Sequence, residues 1–381
     1  MSILAKTKDR AVVQGGRLMS LDALRGFDML WIVGADEFGK AFRGMAAPGV
    51  EPGLLARQFS HAAWEGFTFY DLVFPLFLFM VGVSIVFSLG RVVAEGGRSA
   101  AIVRIVRRSV LLYVLGLIYY GGFVTTADGD FRWVGVLQRI AICYFAASLL
   151  FLAFRWRGLV VATVSLLLGY WALLTFVPVP EFGAGDFAEG RNLTNWFDRE
   201  FLGGYRHHKT HDPEGLLSTL PAIASCLIGV LAGLWIRRPM ASERARVSWM
   251  AGVGVVLVLL GFAWGSQFPV IKKIWTSSYV LVGGGYSLLA LAVFYWIIDV
   301  RMWRAWAVPF VWVGTNALTI YLISRFVDFE NLARRIAGGP IEEWLDERSQ
   351  GLGYFCVVVL GVVLSVLLCR FLYRRQIFLR L

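Results

Sequence analysis

The chain has 381 residues, 58% of them hydrophobic and only 17% charged, with a formal net charge of +11. Soluble domains carry about 25% charged residues, so a chain this apolar cannot clothe a water-facing surface and is read as an integral membrane protein. The positive excess is then judged by where it falls along the chain, not as a nucleic-acid footprint, and no nucleic-acid partner is expected.

The first 19 residues are polar and basic and lack the apolar core of a signal peptide, so the first hydrophobic segment is expected to stay as a span. A helix needs about 20 mostly apolar residues to cross a bilayer core of about 30 Å. Ten windows qualify, at 20–39, 68–90, 104–123, 133–154, 158–177, 215–236, 247–268, 275–298, 306–326 and 352–373. Period-two alternation is absent, which argues against a β-barrel. The expectation is an all-α polytopic membrane protein of about ten transmembrane helices, forming a single transmembrane unit over 1–381.

Orientation follows from the basic residues. With the termini and every second connection on one side, that side collects Lys6, Lys8, Arg10 and Arg17; Arg91, Arg98, Arg104, Arg107 and Arg108; Arg155 and Arg157; Arg237, Arg238, Arg244 and Arg246; Arg301 and Arg304; and Arg370, Arg374, Arg375 and Arg380. Both termini are therefore expected in the cytoplasm. The two longest connections, 178–214 and 327–351, then lie outside, together with His61, His207, His208 and His211. The first is rich in Gly, Asn, Asp and His; it reads either as a polar lid over a site or as a solvated connector.

Ionisable residues within spans are functional candidates by default. Asp22, Arg25 and Asp28 recur every third residue in the first span, where they can neutralise one another. His61 stands just before the second span, whose first turn holds Asp71. A histidine is the side chain best suited to moving protons near neutral pH. Pro75, four residues after Asp71, frees a backbone carbonyl and bends the helix. Arg104, Arg107 and Arg108 open the third span and suit either anionic lipid or phosphates. Arg139, beside Gln138, is too deep to be interfacial and calls for a carboxylate or phosphate partner. His207, His208 and His211 do not match a metal-ligand spacing, and no metal is expected. Gly283, Gly284 and Gly285 suggest close helix packing. The four cysteines, Cys143, Cys226, Cys356 and Cys369, read as packing residues.

Several blocks, in order, carry a family resemblance: Arg17 to Gly26 (RLMSLDALRG), His61 to Gly66 (HAAWEG), Asp71 to Pro75 (DLVFP), Gly135 to Ile140 (GVLQRI), Asp212 to Leu217 (DPEGLL), Lys273 to Tyr279 (KIWTSSY) and Gly314 to Ala317 (GTNA). Together they resemble the transmembrane N-acetyltransferases typified by heparan-α-glucosaminide N-acetyltransferase, in a bacterial-type member. The resemblance implies transfer of acetyl from cytosolic acetyl-CoA to the amine of glucosamine, or of a glucosamine-terminated saccharide, across a bacterial inner (cytoplasmic) membrane. It implies His61 as the essential histidine, a CoA site within the helical bundle and a homodimer. By the resemblance, Asp36 looks like the position that the typifying enzyme fills with Asn, and that enzyme's large N-terminal luminal region and extra span are expected to have no counterpart here.

Thioester-to-amine transfer needs a base and donors for the oxyanion, but no metal. Histidine, with an unperturbed pKa of about 6.5, suits the base; Asp71 or Glu65 is expected to orient it. Trp64, Asp36, Asp212, Glu214 and Asn316 are the acceptor-binding candidates. Arg104, Arg107, Arg108, Gln138, Arg139, Arg237, Arg238 and Trp275 are the candidates for acetyl-CoA. Direct transfer is favoured over an acetyl-histidine relay. The rival readings are a polysaccharide O-acetyltransferase and a sugar transporter without acyl chemistry; transporters often carry inverted repeats, and the two halves show no convincing similarity.

Overall fold

The computed structural model describes residues 18–46, 53–121, 131–204, 207–208, 211–240 and 242–379. Lys6, Lys8, Arg10, Arg17 and Arg380 of the basic set lie outside those residues. The helices run in chain order as α1 (Met19–Gly44), α2 (Leu54–Gln58), α3 (Phe69–Tyr119), α4 (Val136–Ala153), α5 (Trp156–Phe176), α6 (Leu193–Phe201), α7 (Thr219–Arg237), α8 (Glu243–Gly265), α9 (Ser277–Phe294, closed by a wider π turn to Val300), α10 (Val308–Thr315), α11 (Ala317–Phe326), α12 (Phe329–Ala337), α13 (Pro340–Asp346) and α14 (Leu352–Arg374). Among the described residues no strand is present; the two isolated bridges join Glu65 to Ile271 and Val179 to Gly183.

This is an all-α polytopic membrane protein. Among the described residues seven helices are long and apolar enough to cross a bilayer, and the bent pair α10–α11 makes an eighth. Ten windows were expected, and two features account for the difference. The expected second and third spans are both parts of the 51-residue α3, broken at Gly97, whose φ of 74° lies in the left-handed region. The other is α1, which carries Asp22, Arg25, Asp28, Asp36, Glu37 and Lys40 along its length, more charge than a plain lipid-facing span holds.

Close backbone approach sets the core. A Cβ on Gly82 of α3 would lie 1.9 Å from the Cys226 carbonyl oxygen, and one on Gly229 of α7 would lie 1.9 Å from that of Phe79. Small residues at such crossings replace the hydrophobic drive that lipid does not supply. Gly285, from the glycine triplet, abuts Gly254 of α8 in the same way. By contrast α5 and α8 turn Val160, Val161, Leu168, Val256, Leu259 and Leu260 outward, as lipid contact requires. Cys143, Cys226 and Cys369 are buried and Cys356 is exposed.

The connection over 178–214 folds around α6, and that over 327–351 carries α12 and α13, so neither is a plain loop. The α10–α11 pair bends by 65° at Asn316. Asn316 is buried, and its amide donates to the Trp312 carbonyl at 3.1 Å. Broken helices at membrane depth are tolerated where they line a cavity, and Gly314, Thr315, Ala317 and Leu318 do line one.

Candidate active site

The first turn of α3 builds the centre of the site. Thr68 caps the helix and Asp71, three residues on, closes a capping box. That arrangement buries the Asp71 carboxylate and aims it back at the segment before the helix. One oxygen accepts from His61 Nδ1 at 2.8 Å. The other accepts from the backbone N–H groups of Ala62 (3.2 Å) and Thr68 (3.1 Å), with the Thr68 hydroxyl at 3.0 Å. An ionised carboxylate only accepts, so Nδ1 donates to Asp71, and in neutral His61 the lone pair is on Nε2, 3.2 Å from Lys272 Nζ. The His61 side chain is 44% exposed and Asp71 1%; the imidazole meets the solvent side and the acid holds it. Tyr70 stacks flat on the ring, 4.0 Å between centroids and 5° apart.

Pro75 explains a further contact. Proline has no N–H to give the carbonyl four residues earlier, which is that of Asp71. Tyr279 of α9 supplies the missing donor, its hydroxyl reaching the Asp71 carbonyl at 2.8 Å. A helix break in the sequence thus becomes the tie between α3 and α9 at the site.

Lys272 completes the cluster. Its Nζ lies 3.0 Å from His61 Nδ1, 3.2 Å from Nε2 and 3.4 Å from Asp71. Burial pulls its pKa below the ordinary lysine range, with Asp71 opposing and the charges of Glu214 and Asp36 also reaching it. Lys272 was not among the expected residues; the KIWTSSY block begins one residue later. Asp36, exposed on α1, lies beside the Tyr70 side chain.

Trp64 joins this centre to the 178–214 segment. Its indole N–H donates to the Phe187 carbonyl at 2.9 Å, its ring meets His211 edge-on at 5.7 Å, and Lys273 sits over it at 5.6 Å. Among the described residues Glu65 makes no hydrogen bond or ion pair with His61. The chain there bends and is not helical, Glu65 bridges Ile271 through its backbone, and its side chain is exposed.

Beside Trp64 lies a carboxylate network. Arg132 donates to both oxygens of Asp212, at 3.0 and 2.9 Å, and to Glu214 at 2.9 Å. Burial and the neighbouring Asp212 charge raise Glu214 to about 7. Burial raises Asp198 to about 6 and lowers His211 to about 4. Among the described residues no group of three His, Cys, Asp or Glu has the arrangement to hold a metal ion.

The cofactor candidates separate. A cavity of about 580 Å³ lies along α3 on both sides of its break at Gly97, lined by Arg104, Arg108, Arg25 and Arg91 together with Asp22, Glu95, Ser84 and Tyr144. Arg107 faces outward; Arg237 donates to the Val86 carbonyl at 3.0 Å, and Arg238 lies against Trp235. Arg25 bonds Asp22 at 3.0 Å and Ser84 at 2.8 Å, whereas Asp28 does not join them and is buried among other side chains without a hydrogen-bond partner. Gln138 is buried against Gly116. Arg139 is also buried; it donates to the Gly215 carbonyl and the Ser218 hydroxyl and lies 5.0 Å from the face of Trp275, and its charge acts on the carboxylates of Glu214 and Asp198.

A second, smaller apolar cavity shares Phe77, Leu137, Ile140, Ala317 and Leu318 with the first and extends to Phe74. Phe74 is three residues from Asp71, about 4.5 Å of helix rise. The smaller cavity thus reaches along α3 to within one helical turn of Asp71, although neither cavity is lined by His61, Asp71 or Lys272.

Residues 17–155, which hold His61, Asp71, Arg104 and Arg108, match a family described as a domain of unknown function (DUF5009). Over 95% of its length the chain is 28% identical to human heparan-α-glucosaminide N-acetyltransferase, and over 84% it is 26% identical to the mouse protein of that name. The chain is a homologue of these proteins. It spans 59% of the human and 56% of the mouse sequence, under two thirds of either.

Proposed function

We propose that the chain is a transmembrane acetyltransferase. It takes acetyl from cytosolic acetyl-CoA and passes it to the amine of glucosamine, or of a glucosamine-terminated saccharide, on the extracytoplasmic side. The observation that carries the reading is the pairing, on one helix, of an arginine-lined cavity with a carboxylate-held histidine. From Asp71 to Arg91 is about 30 Å of helix, and the two cavities follow that length. A volume of about 580 Å³ falls within the range of ligand pockets, and guanidinium forks suit phosphates.

In this reading Arg104 and Arg108, with Arg25 and Arg91, hold the phosphates of acetyl-CoA, and Arg107, Arg237 and Arg238 add positive charge at that end. The pantetheine arm enters the smaller apolar cavity and extends toward His61. Trp64 stacks on the sugar, while Asp36 and Glu214 receive its hydroxyls. Asp212, Arg139, Gln138, Trp275 and Asn316 hold the walls. His61 Nε2 takes the proton as the amine nitrogen attacks the thioester carbon. The C–N bond forms, the C–S bond breaks, and the leaving sulfur receives a proton. Transfer is direct. The enzyme works as a homodimer in a bacterial cytoplasmic membrane with both termini inside.

The test supplies acetyl-CoA to one face of sealed proteoliposomes and glucosamine to the other. N-acetylglucosamine should form, and His61→Ala should abolish it. No product, or full activity in that variant, refutes the reading. An alkali-labile ester would mark an O-acetyltransferase, and sugar movement without thioester loss a transporter. Labelled acetyl left on the protein after CoA is removed would overturn direct transfer.

A further inference from the structure

The geometry points to Lys272 as a catalytic residue, the donor that holds the acetyl oxygen while negative charge develops on it. The inference rests on the acetyl-transfer reading above and names a group which that reading lacks.

A base alone does not carry thioester aminolysis. As the amine attacks, the carbonyl electron pair moves onto oxygen, and a donor must stand where that charge appears. The donor and the base must both lie about 3 Å from the reacting centre. Lys272 Nζ sits 3.2 Å from the His61 Nε2 that takes the proton. It is not needed to orient the ring, because Asp71 already holds Nδ1 at 2.8 Å. Nor does Asp71 consume it: the second carboxylate oxygen is supplied by Ala62 and Thr68, and the first lies 3.4 Å from Nζ, a loose contact. An ammonium has three N–H bonds, so donors remain for a substrate. The Lys272 side chain is 20% exposed, enough to meet one.

The backbone holds this lysine firmly. Ile271 N–H donates to Thr276 Oγ1 at 3.0 Å, and that hydroxyl donates to the Pro269 carbonyl at 2.8 Å. Gly66 N–H reaches the Val270 carbonyl at 2.9 Å, which ties the lysine segment to the histidine segment. Trp275 closes the turn with φ of 54°, a conformation costly for a bulky residue. Strain of that kind persists where the surroundings enforce it, and such positions cluster at active sites.

The step balances without another reactant. The amine nitrogen bonds to carbon, and the C=O pair moves to the oxygen beside Lys272. The C=O bond then re-forms, the C–S bond breaks, and the sulfur takes the proton His61 received. Lys272 keeps its own protons throughout.

The test compares wild type, Lys272→Met and Lys272→Arg in proteoliposomes, using acetyl-CoA and fluoroacetyl-CoA. Fluorine stabilises the oxyanion from within the substrate and lessens the need for a donor. Lys272→Met should lose about 10²- to 10³-fold in kcat with acetyl-CoA while its KM for the thioester stays close to wild type. Lys272→Arg should recover part of the rate, and the methionine defect should shrink with fluoroacetyl-CoA. An equal loss with both thioesters would make Lys272 a positioning residue and overturn the inference, as would a methionine variant that works as well as wild type. Should wild type itself fail to acetylate, the acetyl-transfer reading falls; an active wild type with an indifferent Lys272 leaves that reading standing and removes only this one.

Discussion

Asp71→Asn isolates what the buried carboxylate contributes. Asp71 accepts through both oxygens, one from His61 Nδ1 and one from the Ala62 and Thr68 backbone. Asparagine has one accepting oxygen and one donating nitrogen. The two backbone N–H groups and the Thr68 hydroxyl claim the oxygen, so the NH2 is left facing His61 Nδ1. Donor against donor is repulsive, and the imidazole relieves it by moving its proton to Nε2. That tautomer has no lone pair where the amine must lose its proton. The same substitution at the acid of a Ser-His-Asp triad costs about 10⁴ in kcat for this reason, which is about 5.5 kcal/mol of transition-state stabilisation. The expectation here is a fall of that order in the rate of N-acetylglucosamine formation. Binding of CoA, read by calorimetry in nanodiscs, should be retained, because the arginine-lined cavity does not include Asp71. An Asp71→Asn enzyme within tenfold of wild type would refute the tautomer argument.

Three other perturbations separate the parts of the structure. Tyr279→Phe leaves the Asp71 carbonyl without the donor that replaces the one missing at Pro75; a buried orphan acceptor costs about 1–3 kcal/mol, to be read as a lower midpoint in denaturant titration. Arg108→Gln, at a side chain lying 4.7 Å from the Tyr144 ring and facing the cavity, removes one charge-assisted contact and should raise KM for acetyl-CoA about 10- to 100-fold with kcat little changed. His211 is held neutral by burial, its pKa lowered from 6.5 to about 4. Its folded pKa is depressed, so its own contribution to stability is fully present above pH 6.5 and is lost as pH falls toward 4, by up to about 3 kcal/mol, whereas the raised Asp198 and Glu214 carboxyls contribute with the opposite sign; hydrogen exchange at Asp212–Leu216 in wild type, measured relative to His211→Gln, should therefore accelerate in acid.

Which parts of the site were legible in the sequence follows from chain distance. His61 and Asp71 stand ten residues apart around one helix start, and capping signals are local, so their pairing was within reach of the sequence. Glu65, four residues after His61, would share a face with it only if the stretch were helical. The chain instead bends without helix until Thr68, with Gly66 at φ 122° and a bridge from Glu65 to Ile271, so helical spacing does not apply there. Lys272 is 211 residues from His61, and its direction depends on a turn that sends Trp275 into the core while the lysine looks out. No hydropathy pattern encodes that turn. Arg25 shows the same limit: its i,i+3 pairing with Asp22 was readable, but its contact with Ser84 depends on how α1 lies against α3. Hydropathy fixes where a chain enters and leaves the bilayer, and it is silent on which faces meet inside. Arg139, read as needing an anion, does act on the carboxylates of Glu214 and Asp198, but its hydrogen bonds to the Gly215 carbonyl and the Ser218 hydroxyl depend on how the segment entering α7 packs across it. Pro75, which α3 carries within its second turn without breaking, was readable as leaving the Asp71 carbonyl unsatisfied, while the Tyr279 that answers it, 208 residues away, was not. Local rules can therefore announce a vacancy, and only the packing of distant helices can fill it.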